Sequence, residues 1–351
     1  MWSCSKFSRI KPSFVFVGLL LIGCVCHALT LAYSPAHWQD EVQIVELGRR
    51  IFEHAEWSIY WLGVQGEESI SPAIWTVGPF LAECSYRVFG HVGSRILALV
   101  GLVLGTVSLW QYLRKISTPW VSLLISLIYF AFPALIQSVH GGRVDSVAFM
   151  FLFAALALMR SNLFSQRPRI GNLGVGALMA LCVWTWATAV LIIPIAVIEY
   201  FTILRMSRRD IKPLMLQCGW ALLGAFLVSS IALLPVVLNA GFYLERFSRA
   251  VNRHLVNTES SLSYFIMLMC EFPFVYLIGS VLLFWRRSLL SLAGVVVVWL
   301  CARSSCYGFR LIYFLPYAVL LMGLFITDLH VLCVRRFVLC IIGVLVGMSF
   351  I

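Results

Sequence analysis

The stretch "SPAHWQDEVQIVELGRRIFEH" (34–54) follows directly after the first long apolar run of the chain. It places two carboxylates, Asp40 and Glu41, side by side within a few residues of the predicted membrane surface. Behind them, apolar residues recur at helical spacing from Ile44 to Phe52, with charged residues on the other faces. The pattern predicts an amphipathic helix that lies on the membrane.

The composition of the whole chain is that of a membrane protein. Of its 351 residues, 61% are hydrophobic and only 12% are charged, whereas soluble domains are about half apolar and about a quarter charged. The net charge of +11 does not indicate a nucleic-acid partner, because the basic residues fall in short clusters between apolar runs. We therefore expect an all-α, polytopic integral membrane protein.

Apolar runs long enough to cross a bilayer, about 20 residues each, recur from end to end. The sequence predicts about 11 transmembrane helices. The predicted spans are residues 14–33, 93–113, 119–138, 144–160, 172–186, 188–204, 214–238, 263–284, 289–303, 308–326 and 337–351. The segments 172–186 and 188–204 are short, and together they predict a helical hairpin that turns near Trp184 and Trp186.

The distribution of charge predicts the orientation of these spans. With the N-terminus in the cytoplasm, 16 of the 26 lysine and arginine residues lie on the inner side, and 11 of the 15 acidic residues lie on the outer side. The longest connector, 34–92, is then the first extracytoplasmic loop. We expect one transmembrane domain over 1–351, with no separate soluble C-terminal domain, in a bacterial inner membrane.

The first outer loop is expected to contain a second interfacial helix and several candidate site residues. The apolar stretch 71–90 is interrupted by Pro79 and carries Glu83, so it is predicted to lie at the membrane surface. Glu67 and Glu68 precede it. They either belong to a solvated loop or hold a metal ion or an acceptor amine.

Two interpretations of Asp40 and Glu41 stay open from the residues alone. Carboxylates at the start of a helix complement the helix dipole and cap free N–H groups. A carboxylate held at the membrane surface can also act as a general base, or assist a leaving phosphate through a metal ion.

Later outer segments contain further candidates for substrate binding. Arg143 and Asp145 sit at the start of the fourth predicted span, directly after His140 and two glycines. Arg310 lies just inside a late span, where an unpaired charge is costly, with Tyr313 one turn on. Arginine suits phosphate because its planar guanidinium can bind in a bidentate manner. Arg246 and Arg249, on one face of a predicted surface helix, are candidates for the same reason.

Several motifs occur in an ordered series along the chain. The first loop contains W-x-D-E followed by Arg49, then S-P-x-x-W ending at Trp75, and then F-G-x-x-x-x-R ending at Arg95. Later come "HGGRVDSVAFMFLFAALAL" (140–158) and "GFRLIYFLPYAVLLMG" (308–323). Their order and spacing resemble the GT-C superfamily of membrane glycosyltransferases, and within it the branch of protein O-mannosyltransferases and bacterial aminoarabinose transferases (glycosyltransferase family 39-like).

The resemblance implies a function for the outer loop. Enzymes of this kind use polyprenyl- or dolichyl-phosphate sugars as donors, and an acidic residue of the first loop serves in catalysis outside the cytoplasm. Asp40 is therefore expected to be the catalytic carboxylate, with Glu41 beside it, and the acceptor to be a lipid, a glycan or a protein. No cofactor is certain, and a divalent cation (Mg²⁺ or Mn²⁺) stays open. The alternatives are a flippase for a lipid-linked substrate and a non-catalytic scaffold subunit.

Overall fold

The structure, a computed structural model, describes residues 11–33, 39–54, 58–60, 70–72, 76–207, 211–238, 240–241, 282, 288–303 and 312–328. They form α-helices joined by short turns, and two three-residue strands, Ser58–Tyr60 (β1) and Ile70–Pro72 (β2), pair antiparallel. The helices are Pro12–Leu31 (α1), Gln39–His54 (α2), Val77–Phe89 (α3), Gly93–Ile116 (α4), Pro119–Phe130 (α5), Pro133–His140 (α6), Asp145–Met159 (α7), Asn162–Gln166 (α8), Pro168–Thr185 (α9), Ile193–Ser207 (α10), Ile211–Leu238 (α11), Leu289–Arg303 (α12) and Leu315–Asp328 (α13).

Several of these helices are long and apolar enough to cross a membrane, which confirms an integral membrane protein. Among the described residues, four stretches qualify by length and composition, and the bent pair α5–α6 adds a fifth. The four are Pro12–Leu31, Val77–Ile116, Thr188–Arg205 and Leu214–Leu234. The count of eleven stays a prediction, since the predicted span 337–351 and all of 263–284 except residue 282 lie outside the described residues.

Proline positions shape the helices in two places where the sequence interpretation was incomplete. The predicted span 119–138 is two helices, bent by 47°, because Phe132 before Pro133 takes an extended backbone and Pro133 starts a new helix. Pro79, in contrast, does not interrupt its segment. It lies in the first turn of α3, where a missing N–H costs no helical hydrogen bond.

Glycines let the helices approach each other closely. Gly101 and Gly105 lie four residues apart on α4 and face α7, so that a Cβ at Gly101 would be 2.8 Å from the backbone nitrogen of Val147. Gly224 on α11 meets α9 in the same way, with a Cβ position 2.0 Å from the carbonyl oxygen of Leu173. Small residues at such contacts are the usual basis of helix association in membranes, where burial of apolar surface gives little driving force.

An ion pair connects α7 and α10 at the end of the bundle that is predicted to be cytoplasmic. Arg160, just after α7, donates through Nε to Oε1 of Glu199 on α10, at 2.8 Å, and its Nη2 forms a second bond to the same oxygen. The Tyr112 side chain on α4 is buried beside this pair. Polar groups inside a membrane bundle are stable only when they are paired in this way.

The first-loop helices α2 and α3 cross each other and are held by mixed contacts. At the crossing point, a Cβ at Gly48 would be 2.3 Å from the carbonyl oxygen of Pro79. Arg87 on α3 donates to Glu83 at 2.8 Å and to Glu53 of α2 at 3.3 Å. The start of α3 is fixed as well, because the backbone N–H of Thr76 donates to a carbonyl at the end of α9. The two helices therefore form a layer attached to the helix bundle.

The glycine contacts lead to a paired test on α11. Gly224→Ala should lower the free energy of unfolding by about 1–3 kcal/mol, because the added methyl group meets the α9 backbone. Gly219→Ala, on the same helix, adds its methyl group to open space and should be neutral or slightly stabilising, by less than about 1 kcal/mol. Thermal unfolding in detergent measures both. Equal effects would show that the close contact does not govern stability.

Candidate active site

Glu41 and Arg95 form a buried ion pair between the start of α2 and the start of α4. Arg95 donates through Nε to Oε1 of Glu41 at 3.1 Å and through Nη2 to Oε2 at 3.1 Å. Ser94 adds a hydroxyl bond of 2.6 Å to the same carboxylate. Both charged side chains are almost fully buried, at 3% and 4% exposed. The geometry is a two-bond fork, which is the strongest form of such a contact.

Arg95 also reaches the end of α1. Its Nη1 donates to the carbonyl oxygen of Leu31 at 3.0 Å, and the last carbonyl groups of a helix have no partner within the helix. One guanidinium therefore connects α4 to the last turn of α1 and to the first turn of α2. The motif W-x-D-E (38–41) begins just before α2 and ends in its first turn, so Arg95 binds its last residue and also the end of the helix that precedes it.

Asp145 is the centre of a second buried cluster, between the end of α6 and the start of α7. Its Oδ2 accepts bonds from Arg143 Nε at 2.7 Å and from Ser138 Oγ at 2.9 Å. Its Oδ1 accepts a bond from the hydroxyl of Tyr313, at 2.5 Å, just before α13. Asp145 and Tyr313 are buried, and Arg143 is 8% exposed. This carboxylate is saturated with donors, and it holds Arg143 in a defined position.

The two clusters meet at Gly142. This residue has a φ of 65°, a left-handed conformation that glycine adopts readily. A Cβ at this position would lie 2.6 Å from Oε1 of Glu41, so the carboxylate packs directly on the Gly142 backbone. Glycine is required here because of the left-handed backbone and because a side chain would collide with Glu41. The segment 138–145 and the first turn of α2 therefore form one polar region.

The structure brings together some of the predicted site residues. Glu41 lies next to the segment that contains His140, Arg143 and Asp145, and Tyr313 joins Asp145 from a distant part of the chain. The backbone of Asp40 belongs to the first turn of α2, directly before Glu41. The side chain of Asp40, together with Glu67, Glu68, Arg246, Arg249 and Arg310, lies outside the described residues.

Glu41 has a contact that neither sequence interpretation included. It was weighed as a catalytic carboxylate or a helix cap, and the structure shows an interhelical ion pair. In the sequence, Arg95 is recognisable only as the end of a motif, and Ser94 and Ser138 carry no signal of a role in the site. The signal was present in Arg95: an arginine close to a predicted span start needs a partner, and Glu41 is an acidic residue on the same predicted side.

Arginine and carboxylate side chains lie buried together in this site. Electrostatic interactions between charges are stronger in such a region than in water. Arg143 is a described cation at the start of α7, where an anionic group could meet it. The described residues contain no group of three or more histidine, cysteine, aspartate or glutamate side chains arranged to hold a metal ion. A divalent cation held by Asp40 therefore stays a prediction.

The buried ion pair predicts a large asymmetry between two arginine substitutions. Arg95→Gln leaves the charge of Glu41 buried without its cation, so the free energy of unfolding should fall by about 3–5 kcal/mol. Arg49→Gln removes an exposed partner of Glu46 and should cost less than about 1 kcal/mol. The double variant Glu41→Gln with Arg95→Gln should recover part of the loss. Thermal unfolding of the purified protein measures these effects, and equal losses for the two arginines would contradict the assignment.

The fold of this chain is similar to that of several solved structures. No family model matches the sequence, and no curated protein matches it. Among solved structures, ArnT from Cupriavidus metallidurans bound to undecaprenyl phosphate is similar with a TM-score of 0.66 and 14% identity over 93% of this chain and 61% of that chain. The same protein in the apo state gives 0.60 and 16%, over 90% of this chain and 60% of that chain.

A third similar structure is the archaeal oligosaccharyltransferase AglB from Archaeoglobus fulgidus, in complex with an inhibitory peptide and a dolichol-phosphate. Its TM-score is 0.56 and its identity is 12%, over 96% of this chain and 55% of that chain. The chain thus spans between 55% and 61% of the length of these proteins. At these identities the likeness concerns the fold alone, and the conclusion is that this chain shares the fold of ArnT and AglB, in agreement with the resemblance that the sequence motifs indicate.

Proposed function

We propose that this protein is a membrane glycosyltransferase that moves a sugar from a polyprenyl-phosphate-linked donor to an acceptor on the extracytoplasmic face. The acceptor is a lipid, a glycan or a protein. The single observation that carries the proposal is the joined polar region of Glu41, Arg95, Arg143 and Asp145 at one end of an apolar helix bundle. Charged groups in such a position are costly, and they mark functional sites by default.

The fold supports a lipid-linked donor in particular. One similar structure contains undecaprenyl phosphate and another contains a dolichol-phosphate. A donor of this kind has a phosphate group at the membrane surface and a long apolar chain among the helices. It needs a cation for the phosphate at the end of the bundle, and Arg143, held in place by Asp145, supplies one.

Asp40 is the proposed general base. It lies in the first turn of α2, directly before Glu41, whose ion pair with Arg95 fixes that turn. A carboxylate there would remove the proton of the acceptor hydroxyl or amine while the acceptor attacks the anomeric carbon and the phosphate leaves. Glu41 then acts as a positioning residue for Asp40, because its own oxygens are engaged by Arg95 and Ser94.

The remaining candidates lie outside the described residues, and their roles are proposed from the sequence. Arg246, Arg249 and Arg310 are proposed to assist in binding the phosphate, and Glu67 and Glu68 to bind the acceptor. The extracytoplasmic position of the site follows from the charge bias between the predicted spans. It agrees with the basic pair Arg114 and Lys115 at the far end of α4, at the predicted inner surface.

The proposal is tested by single-turnover release of polyprenyl phosphate from a panel of polyprenyl-phosphate sugars. Asp40→Asn should lower the rate at least about 100-fold, because a general base contributes about 10²–10⁴ in rate. Binding of undecaprenyl phosphate should stay within about threefold of the wild type, since the phosphate contacts are unchanged.

The matched control is Glu46→Gln, on the same helix, whose side chain is 42% exposed and pairs with Arg49. It should retain the wild-type rate. Release that is equally slow in both variants would remove Asp40 from the mechanism. Binding without release by the wild-type protein would instead favour the flippase or the scaffold, and lipid translocation would then be measured.

A further inference from the structure

A histidine pair lies next to the proposed site and has no part in the mechanism described so far. His27 on α1 and His140 at the end of α6 are 113 residues apart in sequence, and their Nδ1 and Nε2 atoms are 3.0 Å apart. The ring of His27 also packs edge-on against Phe130, with centroids 5.5 Å apart. The His27 side chain is buried, at 9% exposed. The two rings thus form a hydrogen bond within the helix bundle.

His140 is the last residue of α6. The chain of the active-site segment 138–145 leaves the helix after it. Two backbone bonds close this turn, from Gly142 N to Val139 O and from Arg143 N to Ser138 O, both 3.0 Å. Farther along, Tyr313 holds Asp145. The bond from His27 therefore fixes one side of the turn, and the bond from Tyr313 fixes the other.

We propose that His27 is a positioning residue of the transfer site. Through its bond to His140, it holds the segment 138–145 so that Gly142 stays against Glu41 and Arg143 stays directed at the donor phosphate. The inference rests on the proposed function, and it adds a side chain of α1 to the machinery, beside the Leu31 carbonyl that already binds Arg95. A displacement of about 1 Å in such a segment is enough to slow a reaction by a large factor.

The bond between two imidazole rings depends on protonation. One nitrogen must donate its proton and the other must accept it, so at least one ring has to be neutral. Two imidazolium rings at this distance would repel each other, and the positive charge of Arg95 on α4 also acts on His140. Arg95 is itself paired with Glu41, and Phe130 is an uncharged neighbour. The bond therefore breaks only when the second ring is protonated, at a pH below that at which the first is protonated, and this step should release the turn.

Two substitutions separate the hydrogen bond from the packing of the ring. His27→Phe keeps an aromatic ring against Phe130 and removes the nitrogen. His27→Asn loses the ring, but places an amide near the position of Nδ1 that does not titrate. His91→Asn is the matched control, since His91 is an exposed histidine in the turn before α4.

The experiment measures single-turnover release of polyprenyl phosphate and thermal unfolding of the full chain between about pH 4 and pH 8, so that the range extends well below the ordinary pKa of histidine, about 6.5. The release rate of the wild type and of His91→Asn should fall together in acid. His27→Phe should be about tenfold slower or more at pH 8, whereas His27→Asn should keep most of the rate and lose the decline in acid. The unfolding temperature of the wild type should likewise fall in acid relative to His27→Asn.

The outcomes separate the inference from the proposed function. A His27→Phe variant with the wild-type rate and pH profile would overturn the positioning role and leave the transferase standing. Unchanged acid sensitivity of unfolding in His27→Asn would overturn the bond between the rings. If the wild type releases no polyprenyl phosphate from any donor, the proposed function fails, and the positioning role fails with it, even where unfolding confirms the histidine pair.

Discussion

The buried ion pair between Glu41 and Arg95 is the contact on which the rest of the site depends. Arg95 binds the carboxylate through two nitrogens and the carbonyl of Leu31 through the third. Such a pair adds little net stability compared with apolar packing, because both charges lose their hydration, but a missing partner leaves a costly buried charge. The pair therefore selects one arrangement of α1, α2 and α4. That arrangement places the first turn of α2 against Gly142.

The helix bundle provides rigidity that this arrangement needs. Gly101 and Gly105 allow the helix that carries Arg95 to pack closely against the helix that begins with Asp145. The hydroxyl of Ser146 adds a bond of 2.7 Å to the carbonyl of Ala98 across the same contact. A site whose charged groups begin two tightly packed helices is preorganised for an anionic ligand.

The sequence predicted the helices better than it predicted their contacts. The span 93–113 corresponds to α4 (Gly93–Ile116), because a continuous apolar run between charged ends fixes both limits. The break near Trp186 was also predicted, because the alternation of inner and outer segments required a turn within 172–204. The bend at Pro133 was missed because the flanking residues are apolar on both sides. Glu41 and Arg95 were each identified, but a pair 54 residues apart is set by tertiary packing, which has no local signal.

The role of His27 has no local signal in the sequence either, since a single histidine in an apolar run is usually a core residue.

The measurement that tests the account most directly is a structure of the protein with undecaprenyl phosphate, determined by electron cryomicroscopy in a lipid nanodisc. The account predicts the phosphate beside Arg143, next to the first turn of α2 and the turn at Gly142. A phosphate at the other end of α7, near Arg160 and about 22 Å away for a helix of this length, would contradict it.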